Sequence, residues 1–414
     1  MKAIDMEKTK FHSSLASIIL VALFLVSCKN AATIKPKQSY QPDYSLGIEK
    51  TPSSLGSAYT KIFDRYTKVT APNGKPIHIA AQSNITNEQI VRCRSILEHY
   101  LRDYPGSEFG SNKGDVANKM ADNNAVLLLL NGSDDESNPI MLEGQPLFEN
   151  EIQVEGHAWY VNQDYENHRD ASYEEILHLV HDYGIGVDGD NSLPGALPDF
   201  QTEIRAAQQN ALDNNLWGIN VSDWIEELTE ENSLSQEYLA SLIDSYYGLW
   251  GAWTEDATHG MWGIYIAKTR EEIVNEDPMG DALFSNKYFH PYLTYNARID
   301  PDFTGTFSLQ FDASIPYTHH SRYLKDITLL GSNNTNIRIN ELDNYITGND
   351  GTNSVIFSGN YDEYSVSTNS GITTVTDYVA GRDGINTVKQ VEKLQFVDQT
   401  IDLGQTSVSR FTIH

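Results

Sequence analysis

The sequence predicts an α+β protein in which a mostly helical domain is followed by an all-β C-terminal module. Three observations predict it. Apolar residues recur at three- and four-residue intervals through the middle of the chain, the period of a half-buried helix. Beyond about Phe303 that period gives way to short Thr-, Val- and Ile-rich runs punctuated by Asn, Gly and Asp, the pattern of short strands and tight turns. The 414 residues exceed what one core needs, so two or three units are expected.

In chain order, Lys2, Lys8 and Lys10 precede an apolar run from Leu15 to Val26. That run is too short to span a bilayer comfortably, and it has the charged start and apolar centre of a secretory signal. From Lys29 to about Ser57 the chain is rich in Lys, Pro, Ser, Gln and Tyr without a period, which reads as a tether. The expected division is therefore 1–27 signal, 28–58 tether, 59–310 helical domain and 311–414 β module. Thr86-Asn87-Glu88-Gln89 opens a helix whose apolar face runs through Ile90, Cys93, Ile96, Leu97, Tyr100 and Leu101, with Pro105-Gly106 beyond it as a stop. Cys93 reads as a small buried residue on that helix. Ala125 to Leu130, closed by Asn131-Gly132, suits a buried strand, and Glu155 to Val161 reads as another. Helical patterns return at Ser172 to Tyr183, Gln201 to Leu212, Ser222 to Leu228 and Ser235 to Trp250. Tyr246, Tyr247, Trp250 and Trp253 lie at helical spacing and read as core rather than as a sugar-stacking platform.

Charge narrows the partners. Lys and Arg number 29 against 57 Asp and Glu, a net charge of −28, so phosphate backbones and anionic lipid surfaces are repelled and nucleic acid is not an expected partner. Hydrophobic residues at 40% are too many for a disordered polyanion, which places that charge on folded surfaces.

Chemistry concentrates in Ser172-Tyr173-Glu174-Glu175-Ile176-Leu177-His178-Leu179-Val180-His181-Asp182-Tyr183-Gly184. At 100° per residue, Glu174, His178 and His181 fall within an arc of about 60°, while Ile176, Val180 and Tyr183 take another side. Residues four apart on a helix point the same way, so two of them reach one ion while the residue after the first stands beside the open coordination position. Glu175 has that place. The same residues admit a structural reading: Ser172-x-x-Glu175 is a capping box, Glu174 and His178 an ordinary i, i+4 pair, and His181 an answer to the helix dipole. His157 and His168, just upstream, and the remote pair His319-His320 are further metal-competent side chains.

Glu174-Glu175-x-x-His178 resembles the His-Glu-x-x-His motif of the zincin metallopeptidases, with Glu in place of the first His. The resemblance implies a zinc ion held by His178 with Glu174 or His181, and Glu175 as the general base. In the gluzincin branch a Glu on a following helix completes the shell, and Glu203, in Gln201-Thr202-Glu203-Ile204, is the residue expected in that role. A carboxylate at position 174 lowers the charge of the site and leaves a coordinated water less acidic. Leu25-Val26-Ser27-Cys28 resembles the lipobox of bacterial lipoproteins, which implies a lipidated Cys28 as the mature N-terminus and, with Lys29 rather than Asp following it, an outer-membrane anchor.

In the C-terminal module Ile337, Ile346 and Val355 are spaced by nine, and Gly348-Asn349-Asp350-Gly351-Thr352-Asn353-Ser354-Val355-Ile356 fits the nonapeptide Gly-Gly-x-Gly-x-Asp-x-apolar-x. This resembles the repeats-in-toxin, hemolysin-type calcium-binding β-roll. The resemblance implies Ca²⁺ ligation near Asn344, Asp350 and Asn353. The sixth position holds Thr335, Asn344 and Asn353, never Asp, so each turn offers an uncharged oxygen and the expected calcium sites are weak.

The expectation is an outer-membrane lipoprotein, on its periplasmic or cell-surface face, with a zincin-like domain, a β-roll-like module, and zinc-dependent hydrolysis of a peptide or protein substrate. Its rival is a non-enzymatic surface protein that binds calcium or glycan and in which the helix carries no metal.

Overall fold

The computed structural model describes residues 40–162, 170–186, 195–253 and 258–404. The expected signal segment, Cys28 and His168 lie outside them. Among the described residues there are three β-sheets and eleven α-helices, an α+β protein, and no helix is long and apolar enough to cross a membrane.

The first sheet has the order β1 (Glu49–Lys50), β2 (Arg65–Thr70), β3 (Pro76–Ala81), β4 (Val126–Leu130) and β5 (Gln145–Phe148). Its first three strands are antiparallel neighbours, and β3, β4 and β5 run parallel. The short α1 (Ser57–Thr60) leads into β2, and the crossover from β3 to β4 carries α2 (Asn87–Leu101) and α3 (Gly114–Asp122). Thr86 caps α2 in a full capping box with Gln89, and Cys93 is fully buried on it. All five residues of β4 are buried, Leu127 and Leu129 in the main core and Val126, Leu128 and Leu130 with Phe63 and Phe148 on the other face, which is why the strand reads as an unbroken apolar run. Gly144, at φ +139°, lets β5 start close against β4, since a Cβ there would stand 2.6 Å from the Val126 carbonyl oxygen.

Folding starts before Tyr59. Ile48 is fully buried and β1 pairs with β2, so the last part of the expected tether belongs to the sheet. Glu155 to Val161 is not a strand: α4 (Ala158–Asn162) forms there, burying Trp159 and Tyr160. The expected middle helices appear as α5 (Ser172–Val180), α6 (Pro198–Asp213), α7 (Ser222–Glu231) and α8 (Leu234–Tyr246), followed by α9 (Arg270–Glu276) and α10 (Pro278–Phe284). Every residue of α8 from Glu237 to Tyr246 is buried, and α5 lies against α8, α2 and β5. Tyr246, Tyr247, Trp250 and Trp253 are core.

The C-terminal strands form two sheets between which the chain alternates. One has the order β12 (Tyr364–Asn369), β13 (Ile372–Asp377), β14 (Ile385–Lys389), β10 (Tyr345–Thr347), β8 (Leu324–Leu329), β6 (Leu293–Ile299); the other is β16 (Thr400–Asp402), β15 (Lys393–Gln395), β11 (Ser354–Ile356), β9 (Thr335–Arg338), β7 (Gly305–Ser308). The short α11 (Thr318–Ser321) separates β7 from β8. Strands β6, β8, β10 and β14 are parallel, as are β7, β9, β11 and β15, and apolar residues stack in register: Ala297, Ile327, Ile346 and Val388 in one sheet, Phe307, Ile337, Val355 and Leu394 in the other. The nine-residue spacing of Ile337, Ile346 and Val355 is thus half a winding, one step from sheet to sheet. The first of these strands begins at Leu293, ahead of the expected boundary at 311, with Leu293, Tyr295, Ala297 and Ile299 buried in alternation with Thr294, Asn296 and Arg298.

Candidate metal centre

Helix α5 starts without a capping box. Ala171 is its N-cap residue with no side-chain cap bond, while Asp170 Oδ1 accepts the Ser172 backbone N–H at 3.1 Å. Glu175 therefore does not reach back to Ser172. Its Oε2 accepts from Gln145 Nε2, on β5, at 2.7 Å and stands 3.4 Å from His178 Nδ1.

Glu174 and His178 are buried side by side on α5, as their spacing predicts, and Glu237 joins them from the first turn of α8. One ligand atom from each lies within 4.8 Å of the others, close enough for all three to grasp one ion. His178 Nε2 is buried, has no hydrogen-bond partner among the described residues, and is 3.8 Å from Glu237 Oε1. Burial pushes the His178 imidazole down, but Glu237, Glu175 and Glu174 outweigh burial and hold it protonated, pushed up to about 10. The donor set, two carboxylates and one imidazole, fits a divalent transition metal such as zinc.

Two expected ligands stand elsewhere. His181 is buried at the head of a π-helical turn (His181–Ile185), where wider winding breaks the 100° progression, and its Nε2 faces Gln201 Oε1. Gln201 Nε2 in turn donates to Ser235 Oγ at 3.0 Å, so His181 ties α5 to α6 and α8 instead of joining the cage. Glu203 sits off the buried stripe of α6 marked by Phe200, Ile204, Ala207 and Ala211, and pairs with Lys287 at 3.0 Å. The third ligand is Glu237, which the sequence reading missed. Its signal was an acid set beside Tyr238, Leu239, Leu242 and Ile243, where a buried helix has no solvent face to hold it. His157 Nδ1 accepts from the Trp159 N–H at the start of α4, and His320 packs against Tyr160 and Tyr173.

Two of the residues expected to hold calcium use their amide NH₂ groups to bridge neighbouring turns. Asn344 Nδ2 donates to the Lys325 carbonyl at 2.8 Å and Asn353 Nδ2 to the Thr335 carbonyl at 2.9 Å, while Asn344 Oδ1 is buried without a hydrogen-bond partner among the described residues. Asn353 Oδ1 accepts from the Asn349 N–H at 2.8 Å, and Asp350 is exposed. No protein-family model and no curated protein sequence matches the chain.

Proposed function

We propose that this protein is a metal-dependent hydrolase acting on peptide bonds, built on a zincin-like domain with a β-roll-like C-terminal module and carried on the outer membrane by a lipid on Cys28. The observation that supports it is the buried Glu174, His178 and Glu237 cluster with His178 Nε2 directed toward Glu237. Those three residues would hold the metal. Zinc there would supply Lewis-acid polarisation of a carbonyl and acidify water. Glu175, the base that the motif resemblance implies, is less buried than Glu174 or His178 but stands beside His178 Nδ1, across the ring from Nε2 and Glu237, so with the metal on Nε2 it would orient the imidazole and not reach a water on the ion. Two carboxylates leave the site with less positive charge than a two-histidine site, so water bound there would be less acidic.

A second reading, a non-enzymatic surface-binding role, is favoured by a groove of about 860 Å³ lined by Arg94, Glu98, Arg102, Asn296, Arg298 and Asp326 among others, whose mixed donors and acceptors suit sugar hydroxyls. None of the cage residues lines it. Metal content separates the two. In protein beginning at Lys29, one equivalent of zinc by elemental analysis is expected, lost in His178→Ala and in Glu237→Gln. Zinc-incubated wild type that retains none leaves the binding role standing.

A further inference from the structure

We infer that Gln145 is a positioning residue for this metal centre, an inference that rests on the reading of the cage as a metal site. Gln145 opens β5, the edge strand of the first sheet that packs on α5. Its Nε2–H donates to Glu175 Oε2 at 2.7 Å, and the same oxygen lies 3.4 Å from His178 Nδ1. On the far side of the ring, His178 Nε2 is 3.8 Å from Glu237 Oε1.

A neutral imidazole carries one proton, and the nitrogen without it is the ligand. With Nδ1–H directed at Glu175, the Nε2 lone pair turns toward Glu237, the arrangement a carboxylate imposes on a metal-binding histidine. The Gln145 amide holds that carboxylate by its Oε2. Because Gln145 belongs to β5 and not to α5, the sheet as well as the helix sets which nitrogen of His178 faces the ion. The Gln145 amide is oriented by chemistry: only its NH₂ end suits a carboxylate oxygen.

The test compares zinc affinity, by competition with a chromophoric chelator, in metal-free wild type, Gln145→Met and Gln145→Lys. Met keeps the volume and removes the donor; Lys keeps a donor for Glu175. Gln145→Met should stay folded by circular dichroism and bind zinc about 10-fold more weakly, the usual loss when such an outer partner is removed. Gln145→Lys should stay within about threefold of wild type, because a charged donor replaces a neutral one. Nitrogen NMR of zinc-loaded wild type should show His178 protonated on Nδ1 and metallated on Nε2. Equal affinity in wild type and Gln145→Met, equal weakness in the Met and Lys variants, or an Nδ1-bound ion would each overturn the inference while leaving the metal centre intact. Failure of wild type to bind zinc would remove the centre and the inference together.

Discussion

Lys113 shows how a single buried charge sets a dependence on pH. It is 1% exposed, its Nζ donates to the Tyr100 carbonyl at 3.0 Å and lies 4.1 Å from the centre of the Tyr288 ring. Burial pushes its ammonium down from the ordinary 10.5 to about 7, against a smaller upward pull from Asp103. Between those values the unfolded chain keeps a proton that the folded one has released, so this group's contribution to stability rises with pH across that window. Measured by urea unfolding at pH 7 and pH 9, wild type should gain about 2 kcal/mol relative to Lys113→Met. A constant difference between the two proteins would mean that Lys113 titrates normally. Residue chemistry of this kind was only half legible in the sequence. Glu174, Glu175 and His178 could be named because helical spacing puts them together, but Gln145 and Glu237 come from a strand and a second helix. The apolar neighbours of Glu237 set it apart from Glu203, but only packing brings it to His178 and lets Glu203 pair with Lys287.

At the scale of elements, the helices with one buried face were readable from their period, and α8, buried on every side along most of its length, still carried enough length to be read as a helix. Strand β2 was not legible, because Arg65 and Thr67 are buried polar residues that break the alternation; Arg65 is held by Asn87 Oδ1 at 2.8 Å and by backbone carbonyls. In the C-terminal windings the nine-residue spacing was legible, but what the turns do with their Asn residues was not. Asn333 Nδ2 reaches the Pro301 carbonyl at 2.9 Å, Asn349 Nδ2 the Leu330 carbonyl at 2.9 Å, and Asn353 Nδ2 the Thr335 carbonyl, each stitching one turn to the turn before. Asn353→Asp replaces a donor with an anion facing that carbonyl, in a site 1% exposed where Glu392 already accepts the residue's own N–H at 2.7 Å. Denaturant unfolding should show a loss of about 3 kcal/mol. Millimolar Ca²⁺ should restore part of that loss while leaving wild type unchanged, since only the variant has a carboxylate at the sixth position of the turn. A wild type stabilised by Ca²⁺ as strongly as the variant is rescued would contradict the amide stitching.

Across the whole molecule, a buried ionic cluster joins the helical domain to the C-terminal strands. Arg92 on α2 donates to Glu155 Oε1 at 3.0 Å, to Asp170 Oδ2 at 2.5 Å and to the Tyr160 hydroxyl at 3.0 Å, with both acids 2% exposed. Glu155 Oε1 also accepts the Tyr295 hydroxyl of β6 at 2.5 Å, and Tyr295 meets the Tyr173 hydroxyl of α5, which lies 3.4 Å from His320 Nε2 on α11. One guanidinium thus stands at the junction of α2, α5, β6 and α11. Because β6 pairs with β8 and also packs on α2, the two parts share a strand rather than a linker. Their cores belong to one continuous cluster of buried residues. Two consequences follow for calorimetry of the chain beginning at Lys29. Wild type should melt in a single transition whose calorimetric and van't Hoff enthalpies agree. Arg92→Met should lower stability by about 3–5 kcal/mol, because it strips the cation from two acids that folding keeps out of water. Two resolved transitions in wild type would show that the C-terminal strands fold as a unit of their own. In that case a loss of 1 kcal/mol or less in Arg92→Met would place the cluster outside the joint that holds the molecule together.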